Sequence, residues 1–433
     1  MTATTTQAPH APTEARTPLL ARPLASYHLL LGCTVLLLAL GLVMVFSASS
    51  LRSYASTGSV FSTGIKQGTF IAFGVPLMLV LSRLPVRVFR AAAYPSLLVS
   101  VALLIAVLLP GVGHQVNGAT SWIPLPMGFN LQPAELAKLA LVLWGADLLV
   151  RKHRLLGELK HLLVPLLPVA GVVLGLVMLQ PDLGTSVALA FVVVALLYVA
   201  GTPLRIFGAL CAFLLVCVGS IAVTSKHSLD RLVSFRDPFA DAADTGYQAV
   251  QGFYALSSGG IFGRGLGASR EKWSGGLPEA HTDYVFAIIG EELGLLGTLT
   301  VLVLFGVLLY SGIRIAQRAT DPFVRLCSFA VTAWLGGQAV INMGAVVGLL
   351  PITGIPLPLV SFGGSALLVT LAAIGMLLSF ARLEPGAAAA LRAQPSILGR
   401  LRGDTAPLPR QRTTVSSIRT VSRPPARRPA GRR

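Results

Sequence analysis

Ten apolar stretches, each close to the length needed to cross a bilayer, recur along the 433-residue chain. A transmembrane helix needs about 20 predominantly apolar residues. Hydrophobic residues make up 54% of this chain and charged residues only 12%, which predicts an all-α polytopic membrane protein. The predicted spans are Leu29 to Phe46, Gln67 to Leu84, Ala92 to Leu109, Ala134 to Val150, Leu162 to Leu179, Ser186 to Gly201, Ile206 to Thr224, Tyr284 to Tyr310, Val324 to Leu349 and Leu357 to Phe380.

Basic residues are concentrated after the second, fourth, sixth and eighth spans, and again in the tail that follows the tenth. Because Lys and Arg in short loops remain on the cytoplasmic side, both termini are predicted to be cytoplasmic. The opposite loops then face outward, and any extracytoplasmic site is built from them. These loops are 111–133, 180–185, 225–283 and 351–365, and the third is the large loop between the seventh and eighth spans.

Three regions are predicted: a disordered cytoplasmic arm over 1–27, a membrane domain over 28–381 and a disordered basic cytoplasmic tail over 382–433. The tail is rich in Pro, Ser and Thr, cannot bury enough apolar surface to fold, and carries much of the formal net charge of +17. We expect it to be attracted to anionic membrane lipids and to bind no nucleic acid, since no recognisable module is present.

The four cysteines all lie inside apolar spans, where small buried thiols are a more ordinary interpretation than disulfides or metal ligands. They are Cys33, Cys211, Cys217 and Cys327.

Charged side chains at or inside a span are candidates for function, because placing them there costs free energy. Glu135 and Lys138 are three residues apart on one helix face, as suits either an ion pair that serves packing or a pair that holds a substrate. Asp182 lies in a Pro/Gly turn, where a turn-forming or helix-capping role is the ordinary one.

A polar run precedes the eighth span and contains Glu279, His281 and Asp283. A carboxylate at the boundary between water and lipid can have its pKa raised by partial desolvation, so Asp283 suits a general base. The alternative is that Thr282 or Asp283 caps the helix while Glu279 and His281 are merely solvated.

Glu291 and Glu292 lie about two turns further into the same span. Two adjacent acids on a helix point in different directions, so we expect at least one of them to find a polar partner inside the bundle.

The large loop also carries basic residues that could meet a phosphorylated ligand or be balanced by acids of the same loop. The basic residues are Arg231, Arg236, Arg264 and Lys272, and the acids are Asp237, Asp241 and Asp244. No nucleotide-binding loop, zinc-protease motif or nucleophile elbow occurs in a supporting context, so no soluble cofactor is indicated.

Six ordered motifs resemble those of the SEDS family (shape, elongation, division and sporulation), also known as FtsW/RodA/SpoVE, which are bacterial ten-span enzymes of cell-wall synthesis. The motifs are "MVFSASS", "FNLQPAELAKLAL", "QPDLGTS", "RDPFAD…GYQ", "LPEAHTDYVFAIIGEELG" and "GLLPITGIPLPLVSFGGS". The resemblance runs from the first span to the tenth, and "GEELG", "FNLQPAE" and "TGIPLP" are more similar to the division branch, FtsW, than to the elongation branch, RodA.

The resemblance implies a peptidoglycan glycosyltransferase that polymerises lipid II, a disaccharide-pentapeptide on undecaprenyl pyrophosphate, during cell division. By motif, Asp283 matches the family's essential acid, Glu135 and Lys138 match its polar pair, and Asp182 matches the acid of "QPDLGT". Lys138, a loop Arg, or a divalent cation (Mg²⁺ or Mn²⁺) held by outer carboxylates would neutralise the departing pyrophosphate. Four residues differ from those usual at their positions in the family: Tyr284, Leu359, Phe362 and Ala366. Of these, Phe362 lacks the hydroxyl that the usual residue carries.

The resemblance also implies partners: a class B penicillin-binding transpeptidase (FtsI-like) and other membrane proteins of the division septum. Two alternatives stay open at this point. A lipid II flippase would use the same charges as a pathway across the bilayer, and a non-catalytic scaffold would use the tails as docking arms.

Overall fold

A computed structural model of the protein describes residues 24–116, 119–126, 129–152, 159–203, 205–209, 212, 235–244, 246–273 and 276–387. Its helices are α1 (Ala25–Thr57), α2 (Ser62–Leu81), α3 (Val86–Leu108), α4 (Pro133–Arg151), α5 (Leu159–Met178), α6 (Leu183–Val199), α7 (Tyr247–Gly259), α8 (Val285–Arg318), α9 (Pro322–Val346) and α10 (Ser365–Ala381). Three strands form a small sheet: β1 (His114–Val116), β2 (Ala119–Leu125) and β3 (Phe129–Leu131).

Nine of the ten predicted spans coincide with a helix in the described residues, which confirms a mostly helical membrane fold. By length and composition, α1, α2, α3, α8 and α9 can each cross a bilayer, while α6 and α10 are shorter apolar helices. Most of the seventh span, Ile206 to Thr224, lies outside the described residues, as do Cys211, Cys217, Arg231, most of the N-terminal arm and most of the tail. The ten-span count and the three-region division therefore stay predictions.

Several helix ends differ from the predicted bounds, among them the start of α10 and the end of α1. The tenth span was expected from Leu357, but α10 begins at Ser365 because the intervening segment contains Pro358 and ends in Gly363 and Gly364. Proline lacks the N–H that a helix needs, and Gly364 has a positive φ of 51°. The first helix, by contrast, continues eleven residues past Phe46, to Thr57.

The first outer loop, 111–133, holds a structure that the all-α prediction lacked. The strands β1, β2 and β3 pair antiparallel in that order. A backbone with unpaired polar groups is costly near a membrane, and pairing between strands satisfies those groups locally. The sheet leads directly into α4, whose first residue is Pro133, a position where a missing N–H costs nothing.

The end of the bundle with the predicted cytoplasmic loops carries several ion pairs, two of which form one network because Arg90 also lies 3.9 Å from Asp147. Arg90 on α3 reaches Asp321 before α9 at 3.0 Å. Arg151 and Asp147 pair within α4 at 2.6 Å, and a third pair at 3.4 Å joins Arg318 at the end of α8 to Glu384 beyond α10. The basic residues that predicted the orientation are thus gathered at one end of the bundle.

The eighth span is broken, although the sequence predicts an uninterrupted helix. Gly294 has φ 69° and ψ −162° inside α8, and a segment of the large outer loop packs against the break. Arg264 and Gly265 donate backbone hydrogen bonds to the carbonyls of Glu291 and Glu292 at 2.9 and 3.0 Å, and two further bonds run from α8 to the segment. The backbone groups freed by the break are therefore satisfied by the segment.

Glu291 and Glu292 both have polar partners, which confirms the expectation for this pair. Glu291 accepts from the Ser269 hydroxyl at 2.6 Å. Glu292 accepts from the Ser47 hydroxyl of α1 at 2.6 Å and pairs with the Lys272 ammonium at 3.2 Å. Both acids are fully buried, so this cluster joins α1, α8 and the outer loop inside the protein.

Candidate active site

A cavity of about 470 Å³ opens at the end of the bundle opposite the basic loops. Loops and helix termini that are distant in sequence line it: the end of α1, the starts of α2, α4, α6 and α10, the small sheet, the segment before α8 and the segment between α9 and α10. Its ionisable lining residues are Arg52, Lys66, Glu135, Asp182, Glu279, His281 and Asp283. Five of the six residues predicted for the site therefore line one cavity, and the sixth, Lys138, lies behind it.

A tight turn presents Asp283 to the cavity. The carbonyl of Glu279 accepts from the backbone N–H groups of Thr282 and Asp283 at 3.1 and 3.2 Å. The helix α8 begins only at Val285, with Tyr284 as its N-cap residue. Neither Thr282 nor Asp283 occupies the N-cap position, so the capping alternative for these two residues is wrong.

Asn342 holds this turn against the opposite wall of the cavity. Its side-chain amide donates to the carbonyl of Asp283 and to that of Ile355, both at 2.8 Å. A third bond joins the same two segments, from the N–H of Phe362 to the carbonyl of His281 at 2.9 Å. Asn342 is only 3% exposed, and nothing in its sequence surroundings distinguishes it from a packing residue of α9.

Glu279 forms an ion pair with Arg52 at 3.1 Å, across from α1. Burial alone would raise the pKa of Glu279, but the charges of Arg52 and His281 and the hydrogen bond from Thr282 together lower it. Burial lowers the pKa of His281 below its usual value, and the charge of Glu279 opposes that shift. Glu279 is thus anionic and paired rather than merely solvated.

Glu135 and Lys138 form the expected ion pair, at 2.6 Å. Lys138 is fully buried, and its ammonium also lies 5.0 Å from the centre of the Trp334 ring, within the range of a cation–π interaction. Glu135 lines the cavity and Lys138 does not. The pair therefore presents a carboxylate to the cavity and keeps its counter-charge behind the wall.

Asp182 caps α6, as its turn predicted. Its carboxylate accepts from the backbone N–H of Thr185 at 3.0 Å and from the Thr185 hydroxyl at 2.8 Å. The Gln132 amide donates to it at 2.9 Å, and this bond ties the start of α4 to the start of α6. Capping and a place in the cavity wall are thus combined in one side chain.

Two cavity cations, Arg52 and Lys66, were missed by sequence reasoning. They lie near the facing ends of α1 and α2, where a charge at a span boundary is ordinary and gives no signal of its own. Of the loop cations, Lys272 instead pairs with Glu292 outside the cavity, and Arg236 is exposed.

No group of three or more His, Cys, Asp or Glu side chains in the described parts of the chain is arranged to hold a metal ion. Glu135 and Glu279 are engaged by cations and Asp182 by hydrogen bonds. These three carboxylates therefore already have partners within the protein.

The fold and cavity define a polytopic membrane protein with a polar site at one end of its helical bundle. The family model FTSW_RODA_SPOVE, described as "Cell cycle protein", matches residues 27–384. The chain therefore belongs to the FtsW/RodA/SpoVE family.

Individual relatives agree with this assignment. The chain is 46% identical over 374 residues to the "Probable peptidoglycan glycosyltransferase FtsW" of Mycobacterium tuberculosis, covering 86% of this chain and 71% of the relative. Among solved structures it resembles a chain of a peptidoglycan synthase complex that coordinates polymerization and crosslinking, with TM-score 0.66, 30% identity and coverage of 82% of this chain and 96% of that one. It also resembles the rod shape-determining protein RodA of Thermus thermophilus, with TM-score 0.58, 29% identity and coverage of 82% and 95%.

Proposed function

We infer that this protein is a peptidoglycan glycosyltransferase of bacterial cell-wall synthesis. Family membership over residues 27–384 supports the class of reaction, and the names of its relatives support the division branch. The observation that carries the inference is the cavity, because it combines the carboxylate of Asp283 with two cations at one end of a membrane bundle.

The substrate we propose is lipid II, polymerised at the outer face of the cytoplasmic membrane. Lys and Arg concentrate on the cytoplasmic side of membrane proteins, and the cavity opens at the end away from the Arg90, Arg151 and Arg318 ion pairs. That arrangement supports our proposal that the cavity lies at the outer membrane boundary, where the sugar of a lipid-linked substrate meets its polyprenyl tail.

Asp283 is proposed as the general base. Its carboxylate accepts the proton of the acceptor sugar hydroxyl while the hydroxyl oxygen attacks the anomeric carbon of the donor. The new glycosidic C–O bond forms as the bond from that carbon to the pyrophosphate breaks, and the leaving pyrophosphate takes the bonding electron pair. Asn342 and the turn at Glu279 fix the backbone of Asp283 during this step.

Arg52 and Lys66 are proposed to stabilise the negative charge that develops on the leaving pyrophosphate. Both line the cavity, and Arg52 is held by Glu279 at 3.1 Å. A divalent cation bound together with the substrate is a second proposal for the same charge. If EDTA abolishes activity and Mg²⁺ or Mn²⁺ restores it, a bound cation takes part. If activity is full in EDTA, Arg52 and Lys66 alone stabilise the pyrophosphate.

We further propose that the protein acts at the division septum with a class B, FtsI-like transpeptidase and other division proteins. The solved complex that it resembles coordinates polymerization with crosslinking, and the division-branch names of the relatives support the septal role.

The test uses purified protein with its candidate transpeptidase and labelled lipid II. Wild type should yield glycan polymer and Arg52→Gln/Lys66→Gln should yield far less, while Arg236→Gln, an exposed loop cation outside the cavity, should retain activity. Transfer of lipid II between leaflets without any polymer would instead favour the flippase.

A further inference from the structure

We propose that residues 260–273 of the large outer loop, here called the interfacial segment, insert into the outer leaflet and bind phospholipid. The proposal concerns a surface outside the cavity and does not depend on the reaction. The segment occupies the space beside the break in α8.

Four backbone hydrogen bonds fix the segment to α8. Besides the two donated by Arg264 and Gly265, Leu295 donates to the carbonyl of Gly260 at 2.9 Å and Leu296 to that of Ile261 at 3.3 Å. The segment and α8 are in backbone contact at Gly263 and Gly294. A side chain added at Gly263 would collide with the backbone of α8, and one added at Gly294 would collide with the backbone of the segment. The segment is therefore part of the α8 surface and follows its depth in the membrane.

The length of the apolar part of α8 indicates how deep in the membrane the segment lies. A span needs about 20 residues, and the apolar part of α8 runs from Leu293 to Ile313, before Arg314 and Arg318. Gly294 then lies at the outer edge of the hydrocarbon layer. A non-helical backbone is tolerated at that level where its polar groups are satisfied, and the four hydrogen bonds supply that condition.

The segment's side chains suit this level. Phe262 is 80% exposed, and Ile261, Leu266 and Trp273 are each about 60% exposed. Their apolar surface continues onto the exposed Leu295, Leu296 and Leu299 of α8, a face that a membrane span turns toward acyl chains. Trp is enriched at the membrane boundary.

Charge completes the match to phospholipid. Arg264 and Arg270 are exposed on the same segment, where guanidinium groups can meet lipid phosphates. Lys272 is instead buried against Glu292 at 3.2 Å and anchors the end of the segment to α8. Glu271, the one acid of the segment, is attracted to Arg264, so the segment combines exposed apolar side chains with a net positive charge, as contact with both the acyl chains and the phosphates of a leaflet requires.

The experiment measures contact with lipid directly. In a chain whose four cysteines are replaced by alanine, a bimane fluorophore is attached at Phe262→Cys in nanodiscs of brominated phospholipid. Leu299→Cys on the lipid-facing side of α8 is the positive control, and Asp237→Cys, exposed in the same outer loop, is the negative control. Phe262→Cys should lose fluorescence as Leu299→Cys does, and most strongly when the bromines are near the carbonyl end of the acyl chains.

Quenching no stronger than at Asp237→Cys would overturn the proposal. If Phe262→Cys is quenched in the free protein but not when the candidate transpeptidase is bound, the segment contacts lipid in the free protein and a protein partner in the complex. If Phe262→Cys is not quenched even in the free protein, the segment does not bind lipid. The difference in tryptophan fluorescence between wild type and Trp273→Phe repeats the measurement without cysteine replacement, and it should decrease in the brominated nanodiscs.

Discussion

The buried pair of Glu135 and Lys138 allows a structural role to be separated from a role in the reaction. Lys138→Met removes the cation and leaves the carboxylate of Glu135, which is only 3% exposed, without its partner. Breaking a buried ion pair in this way costs about 3–5 kcal/mol, and losing the ammonium above the Trp334 ring adds about 1 kcal/mol. We expect the melting temperature in detergent to fall by about 5–10 °C.

The double variant Glu135→Leu/Lys138→Met should recover most of this loss, because replacing both members of a buried pair with apolar residues is often neutral or stabilising. Polymerisation of lipid II should stay low, because Glu135 lines the cavity while Lys138 does not. Arg325→Met is the control, since Arg325 is an exposed cation near the start of α9 and outside the cavity, and it should change neither quantity appreciably.

Either of two results would refute this reasoning. A double variant as unstable as Lys138→Met would show that the unpaired carboxylate is not the source of the instability. A stable double variant with wild-type polymerisation would show that Glu135 serves packing alone.

Three further predictions follow from single contacts. Asn342→Ala should lower kcat by about tenfold or more with little change in KM, because it frees the Asp283 turn without touching the cavity; an unchanged kcat in initial-rate assays would contradict this. Gly294→Ala should cost about 1–3 kcal/mol of stability in thermal unfolding, since Gly294 has a positive φ against a neighbouring backbone, and an unchanged melting temperature would exclude that strain. The pKa of His281 is lowered in the folded state, so below about pH 6.5 the unfolded chain binds more protons than the folded one. The melting temperature should therefore fall as the pH is lowered from about 7 to about 5. His281→Gln should make that fall smaller.

Much of the helical layout was predictable from sequence because hydrophobic length and the positions of prolines are local properties. The start of α4 at Pro133 and the cap of α6 by Asp182 were readable for this reason. The break at Gly294 was not, because glycine inside an apolar run usually serves helix packing. Its partner segment lies about 30 residues earlier, and no periodicity connects the two.

The site was predicted only in part for the same reason. Asp283, His281 and Glu279 are neighbours in sequence, and the six motifs drew attention to Asp182 and Glu135. Arg52 is more than 200 residues from Glu279, and only the fold shows that the two pair at 3.1 Å. Asn342 likewise acts through two backbone carbonyls, a role that residue type alone does not reveal.

The most direct test of the account is polymerisation of labelled lipid II by Asp283→Asn, purified with the candidate transpeptidase alongside wild type and checked for an unchanged melting temperature. Asparagine keeps the shape of the side chain and cannot accept the acceptor proton as a carboxylate does. We predict glycan strands from wild type and none from Asp283→Asn. Strands of equal yield from both proteins would contradict the assignment of Asp283 as the base.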